Sequence, residues 1–285
     1  MGKWIARILI FTSVFGICLF ITSYLDIKHG GKGHVSARSS SQKILSNEID
    51  SSLKKIRLEA QTQKHKQISV YYVPHPDDEL LTYGVPIRND LHAGKIVYLV
   101  LFTHGETSSI IKKLNLMVYP KLTPYELGLA RVKEFNHSSQ DLGIDNNHKD
   151  IFDPQKEQAR IELIRKIALF FEQTFPHVTQ NGLSKYDVIP DHAITGMVLD
   201  QLYKEGKIKH KRIYASIYMS RFAEHRLTGK RIYPKKAKDN SVFNKAIHDY
   251  DRWDPQHRWY ACGYMSVRPQ FNSFHKHKYS VLVKE

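Results

Sequence analysis

His75, Asp77 and Asp78 fall within the short run Pro74-His-Pro-Asp-Asp-Glu79. An imidazole and a carboxylate three positions apart can reach one ion through a tight turn, which leaves Asp77 pointing elsewhere and free to act as a base. A zinc ion with three protein ligands and an open position binds water and lowers its pKa toward about 7, and a nearby carboxylate can then take the proton. The same residues would also make a polar turn whose acids, Asp78 and Glu79, favour the N-terminus of a helix. A turn, however, requires neither the histidine nor three successive carboxylates.

The element that must position this run is the strand before it. Residues 68–73 are rich in β-branched and aromatic side chains, as a buried strand is. Pro74 and Pro76 end its ladder because neither carries an N–H, so the candidate ligands lie in a loop. Residues 95–103 form a second, nearly continuous apolar run that reads as a central parallel strand. Between the two, residues 79–92 suit a helix capped by Gly94, with Gly84 and Pro86 implying a kink or an early break. Strand, helix and strand in that spacing predict a mostly parallel sheet with right-handed crossovers, whose ligands bind beyond the carboxyl ends of its strands. His104, Gly105 and Glu106 follow the second strand and should border the same crevice, where His104 reads equally as a substrate contact or as a plain turn residue.

The run from Pro74 to Glu79 resembles the signature of the PIG-L/LmbE-like zinc-dependent de-N-acetylases, which remove acetyl groups from N-acetylglucosamine-type sugars. That resemblance implies a Rossmann-like α/β fold, zinc on His75 and Asp78, and Asp77 as general base. It also draws attention to Ile189-Pro-Asp-His192, which is similar to the family's second motif, His-Pro-Asp-His, whose last histidine completes the metal set. His192 would be that third ligand at the start of a helix, with Asp191 as N-cap and orienting a neighbour. A capped helix start with an exposed histidine is the plainer reading of these four residues. Arg131 and Glu134, followed by Leu142-Gly143, resemble the family's Arg-x-x-Glu segment. The two charges suit either a helix-surface ion pair or, through Arg131, substrate recognition. One departure stands out: Ile189 replaces the first histidine of the second motif, and a hydrocarbon can neither stabilise an oxyanion nor protonate a leaving amine. The metal itself can polarise the acetyl carbonyl, and His104, His177 or a C-terminal His or Tyr is available to bring a donor from another loop.

The remainder of the chain supplies context. At 285 residues and 41% hydrophobic content it suits one sizeable domain with an appendage. We expect a transmembrane signal anchor over residues 1–29, a linker and amphipathic stalk helix over 30–65, and the de-N-acetylase-like catalytic domain over 66–285. Residues 8–25 are uncharged and as long as a bilayer crossing, with no Ala-x-Ala site after them, which favours an anchor over a cleaved signal peptide. The catalytic domain is then expected outside the cytoplasm, although Lys28, Lys32, Arg38 and Lys43 weaken the positive-inside argument. Only Cys18 and Cys262 occur, so a metal site must use histidine and carboxylate.

Downstream, Thr123-Pro-Tyr-Glu126 predicts a capping box opening a helix to about Leu142, and Asp153-Pro154 another helix with Ile161, Ile164, Ile167, Ala168 and Phe171 on its buried stripe. Residues 212–219 read as a strand, 226–238 as a basic loop and 278–284 as a closing strand. A net charge of +15 implies an anionic polymer or membrane surface as neighbour, and no motif points to a specific nucleic acid. The expected function is hydrolysis of the N-acetyl group of an N-acetylglucosamine-type sugar or glycoconjugate with Zn2+ as cofactor. Its rivals are a catalytically weak or inactive module that binds glycan or polyanion, and a magnesium-dependent phosphoryl-transfer enzyme on the same carboxylates.

Overall fold

A computed structural model describes residues 33–63, 65–216 and 229–284. The chain divides into two compact units, Met1–Asn47 and Glu48–Glu285. The apolar run at residues 8–25 lies outside the described residues, and among the described residues no helix is long and apolar enough to cross a membrane. Residues expected as linker are helical from Gly33 onward, in a helix, α1, that runs Gly33–Gln63. Within the second unit its apolar positions Ile49, Leu53, Ile56 and Ala60 are buried at helical spacing.

The second unit is an α/β fold. In chain order its elements are β1 Ile68–Val73, α2 Asp78–Leu81, α3 Gly84–His92, β2 Ile96–Leu101, α4 Ile110–Leu114, α5 Pro124–Asp141, β3 Lys149–Ile151, α6 Glu157–Thr174, β4 Val178–Leu183, α7 Pro190–Lys204 and β5 Lys211–Ala215. After these come β6 Gly229–Ile232, α8 Asp239–Asp251, the short pair β7 Trp253–Asp254 and β8 Trp259–Tyr260, α9 Cys262–Ser266, α10 Arg268–His277 and β9 Ser280–Val283. The main sheet has seven strands in the order β3-β2-β1-β4-β5-β9-β6. The first five are parallel, and β9 and β6 add an antiparallel edge.

Strand β1 is the middle one of the five parallel strands, and all six of its residues are buried, as a strand covered on both faces requires. Its two tyrosines are tolerated there because each hydroxyl has a partner: Tyr71 donates to Asp90 at 2.7 Å and Tyr72 to Gln180 at 2.8 Å. From β1 the chain builds outward through β2 and β3, then returns to β4 on the other side and builds toward β5. The order therefore reverses between β1 and β4, and ligands of open α/β sheets bind at such a reversal, beyond the carboxyl ends of the strands. The loop after β1 carries His75, and the first turn of the helix after β4 carries His192.

Several expectations shift in detail. Residues 79–92 form two helices, α2 and α3, because Gly84 and Pro86 open a new helix rather than continue the old one. The helix expected at Asp153-Pro154 begins at Glu157, after an extended Lys156, and its Ile161 is only half-buried. The strand expected at 212–219 is Lys211–Ala215, and residues 217–219 lie outside the description. The basic loop at 226–238 contains strand β6, whose Lys230 and Arg231 sit on the exposed sheet edge, where cations discourage pairing with another chain.

Gly196 sets how closely α7 packs on β4. A Cβ there would lie 2.2 Å from the Leu183 carbonyl oxygen and 2.5 Å from the Lys185 nitrogen, both backbone atoms that cannot rotate away. Gly196→Ala is expected to destabilise the fold by roughly 1–3 kcal/mol, read as a fall of several degrees in Tm.

Candidate metal and acid-base site

Three atoms from two loops converge beyond the carboxyl ends of β1 and β4. His75 Nδ1 lies 3.1 Å from His192 Nε2, His192 Nε2 lies 3.2 Å from Asp78 Oδ2, and His75 Nδ1 lies 3.5 Å from Asp78 Oδ2. His192 and Asp78 are buried and His75 is partly open to the pocket. Local structure explains each placement. Pro74 and Pro76 release the chain from β1, Asp78 opens α2, and Pro190 opens α7 with His192 in its first turn.

The outer nitrogens of both rings are held by carboxylates. His75 Nε2 is 3.2 Å from Asp191 Oδ2, and His192 Nδ1 is 3.2 Å from Asp187 Oδ2. An imidazole that donates from its outer nitrogen to a carboxylate turns the lone pair of the other nitrogen inward. With both rings in that tautomer, two inner lone pairs would face the Asp78 oxygen. A cation resolves that arrangement. Zinc–nitrogen bonds of about 2.0–2.1 Å in a tetrahedron put neighbouring ligand atoms about 3.3 Å apart, close to the three separations here. The donor set therefore fits a zinc ion, with room for further ligands on the side of the pocket.

Asp77 lies beside this set without joining it. Its backbone has φ 128° and ψ −26°, a conformation that costs a residue with a Cβ on the order of 1–3 kcal/mol. Its carboxylate accepts from Arg131 Nη2 at 3.2 Å, and the same nitrogen donates to the Pro76 carbonyl at 2.9 Å. Burial pushes the Asp77 carboxyl up to about 7, against the pull of Arg131. Gly105, with φ +73°, makes room for that guanidinium, since a Cβ would come within 2.7 Å of Arg131 Nη1. A pocket of about 540 Å³ opens over these groups, lined by His75, Asp77, Arg131, Ile189 and His192 on one side. Thr107 to Ser109, Lys113 and Met265 to Val267 close the other.

The structure thus brings His75, Asp77, Asp78, Arg131 and His192 together and places the remaining candidates differently. Arg131 and Glu134 do not form a helix-surface pair. Both are buried, and Glu134 accepts the backbone N–H groups of Cys262 at 2.6 Å and Gly263 at 2.9 Å, which fixes the segment that carries the pocket's Met265 wall. Asp191 is not the N-cap of α7, a position held by Ile189. It sits in the first turn, between His75 and Arg160 Nη1, the latter at 2.6 Å. His104 is half-buried 3.7 Å from Asp153, and with Glu106 and Asp153 it forms a second group of ligand-type atoms within 4.8 Å of one another. Ile189 lines the pocket, so the position of the missing histidine presents hydrocarbon there.

Sequence reasoning passed over Asp187, Arg160, Ser138 and Tyr250. Only Asp187 carried a local signal, lying five residues before His192; the others come from separate helices. Asp191→Ala is expected to leave the fold intact but free the His75 ring, weakening metal affinity by about 10–100-fold in a competition titration with a chelating dye.

Residues 70–203 match the family described as PIG-L, GlcNAc-PI de-N-acetylase. No curated protein sequence matches the chain. Among solved structures, a triple mutant of a deacetylase from the teicoplanin biosynthetic pathway aligns at 14% identity over 76% of this chain and 97% of its own, with a TM-score of 0.56. The A40926 pseudoaglycone deacetylase aligns at 12% identity over 76% and 96%, with a TM-score of 0.54. The zinc-inhibited form of teicoplanin deacetylase aligns at 14% over 77% and 99%, with a TM-score of 0.54. At such identities these likenesses speak for a shared fold.

Proposed function

Residues 70–203 form a domain of the PIG-L family of metal-dependent de-N-acetylases, and from that premise we propose that this chain hydrolyses the N-acetyl group of an N-acetylglucosamine-type sugar or glycoconjugate, with zinc on His75, Asp78 and His192. The observation that carries the reading is the convergence of two imidazole nitrogens and one carboxylate oxygen beside a carboxylate, Asp77, that is not part of the set. Zinc held there supplies a Lewis acid that activates water and polarises the acetyl carbonyl.

The chain's own residues do the rest. Asp77 takes the proton from the attacking water. Arg131, by pairing with Asp77 Oδ2, holds that carboxylate in place and favours its charged, proton-accepting form. Because Ile189 can donate nothing, Asp77 returns the proton to the departing nitrogen. The proton taken from water thus ends on the amine, and the acetyl group leaves as acetate.

The charge of +15 favours an acetamido sugar carried on an anionic polymer or presented at an anionic surface, and residues 8–25 would anchor the chain in a membrane with its domain outside the cytoplasm. Fractionation of the full-length chain tests the location: recovery wholly in the soluble fraction at full length would remove the anchor. Acetate measured after incubation with N-acetylglucosamine, its oligomers, an N-acetylglucosaminyl lipid and acetylated wall glycan tests the reaction. Release from at least one of them is expected. No release from any, by protein carrying one zinc per chain, would favour the glycan-binding module, for which the hydrocarbon at Ile189 is the supporting observation.

A further inference from the structure

The strained backbone of Asp77 is held by the carboxylate two residues later. Glu79 Oε2 accepts the Asp77 N–H at 3.0 Å, while Glu79 Oε1 accepts the Ser138 hydroxyl at 2.8 Å and the Tyr250 hydroxyl at 2.7 Å. Glu79, Ser138 and Tyr250 are all fully buried, and they come from α2, α5 and α8. A carboxylate this deep is costly to bury, and a leucine would fill the same space without that cost. What leucine could not do is accept the N–H of Asp77, whose backbone has φ 128°. Asp77 is thus fixed at two ends. Its backbone is held by Glu79, and its side chain by Arg131.

We propose that Glu79, itself oriented by Ser138 and Tyr250, is a positioning residue that holds Asp77 in the conformation from which its carboxylate reaches the reacting atoms. This inference rests on Asp77 as the proton carrier. Glu79 touches neither substrate nor metal set in this account, so its removal should act on turnover rather than on binding. Asp77 released from the Glu79 oxygen would relax toward an ordinary helix-entry conformation and carry its carboxylate out of place.

The test uses the full-length, zinc-loaded chain and four variants: Glu79→Leu, Glu79→Gln, Tyr250→Phe and Asp77→Asn. Zinc content, melting temperature, kcat and KM are measured on the acetamido sugar that releases acetate fastest. Glu79→Leu is expected to lose about 10²-fold in kcat with KM and zinc content near those of the parent. Glu79→Gln is expected to recover kcat to within about threefold, because its amide oxygen can still accept the Asp77 N–H while the two hydroxyls rotate to accept from its NH2. Tyr250→Phe, which removes a single hydroxyl, should lower kcat about fivefold at constant KM. In an Asp77→Asn background, Glu79→Leu should add almost no further loss, the non-additivity of two groups acting as one unit.

A role confined to packing would give a lower melting temperature with additive losses. It would also leave Glu79→Gln, with its mismatched hydrogen bonds, no better than Glu79→Leu. Either result overturns the proposal, as does a parental kcat in Glu79→Leu beside an inactive Asp77→Asn. Should Glu79→Leu fail to fold, the overturning result is a parental kcat in Tyr250→Phe, or a loss in Tyr250→Phe that recurs in full in the Asp77→Asn background. A fully active Asp77→Asn would remove the assignment of the base, and this proposal with it, whereas the outcomes above leave that assignment standing.

Discussion

Asp77→Asn is expected to keep nearly full zinc content while losing at least about 10²-fold in turnover. Asparagine preserves size and hydrogen bonding but cannot accept a proton, and general acid-base groups contribute about 10²–10⁴-fold. A hundredfold corresponds to about 2.7 kcal/mol of transition-state stabilisation. Zinc should remain because Asp77 stands outside the converging atoms of His75, Asp78 and His192. A modest fall in melting temperature should accompany the change, since Arg131 is buried and loses its ionised partner at 3.2 Å. Turnover and metal content measured on the same preparation separate the base from the ligands. Loss of metal in this variant would mean that Asp77 had been assigned the wrong task.

His192→Ala should give the opposite pattern, loss of metal and of activity together. Three protein ligands leave no spare, and His192 is the only one supplied from beyond β4. Turnover is expected to fall by more than about 10³-fold, since both the metal's chemistry and its placement are lost. Stability offers an independent reading. A metal at about 100 times its Kd stabilises the native state by about 2.7 kcal/mol, so a chelator should lower the Tm of the parent by several degrees and leave that of His192→Ala unchanged. Equal chelator shifts in the two proteins would show that His192 holds no metal.

How far the sequence reached depended on whether a property was local. The strand β1, its end at two prolines and the ligand-type residues that follow are adjacent in the chain, and composition alone made them legible. Thr123 and Glu126 form the expected capping box, with the Glu126 N–H reaching the Thr123 hydroxyl and the Thr123 N–H reaching the Glu126 carboxylate, because four consecutive residues suffice to specify it. The reversal of strand order between β1 and β4 could be reached only through the family resemblance, since pairing partners over a hundred residues apart leave no local pattern. Arg131 and Glu134 illustrate the limit most clearly. Their spacing suits an ion pair, and nothing nearby announces that each is buried against a different loop, one under Asp77 and the other under Cys262. Asp191 does orient a neighbour, His75, but it does not cap α7, because where the loop after β1 lies decides which of the two its carboxylate reaches.

Zinc titration of chelated protein, with acetate release followed at each addition, tests the central claim most directly. The account predicts no turnover without metal, a rise in proportion to added zinc, saturation at one zinc per chain, and no such recovery in His192→Ala. Acetate release that persists in the fully chelated protein, or that returns with magnesium and not with zinc, would contradict it.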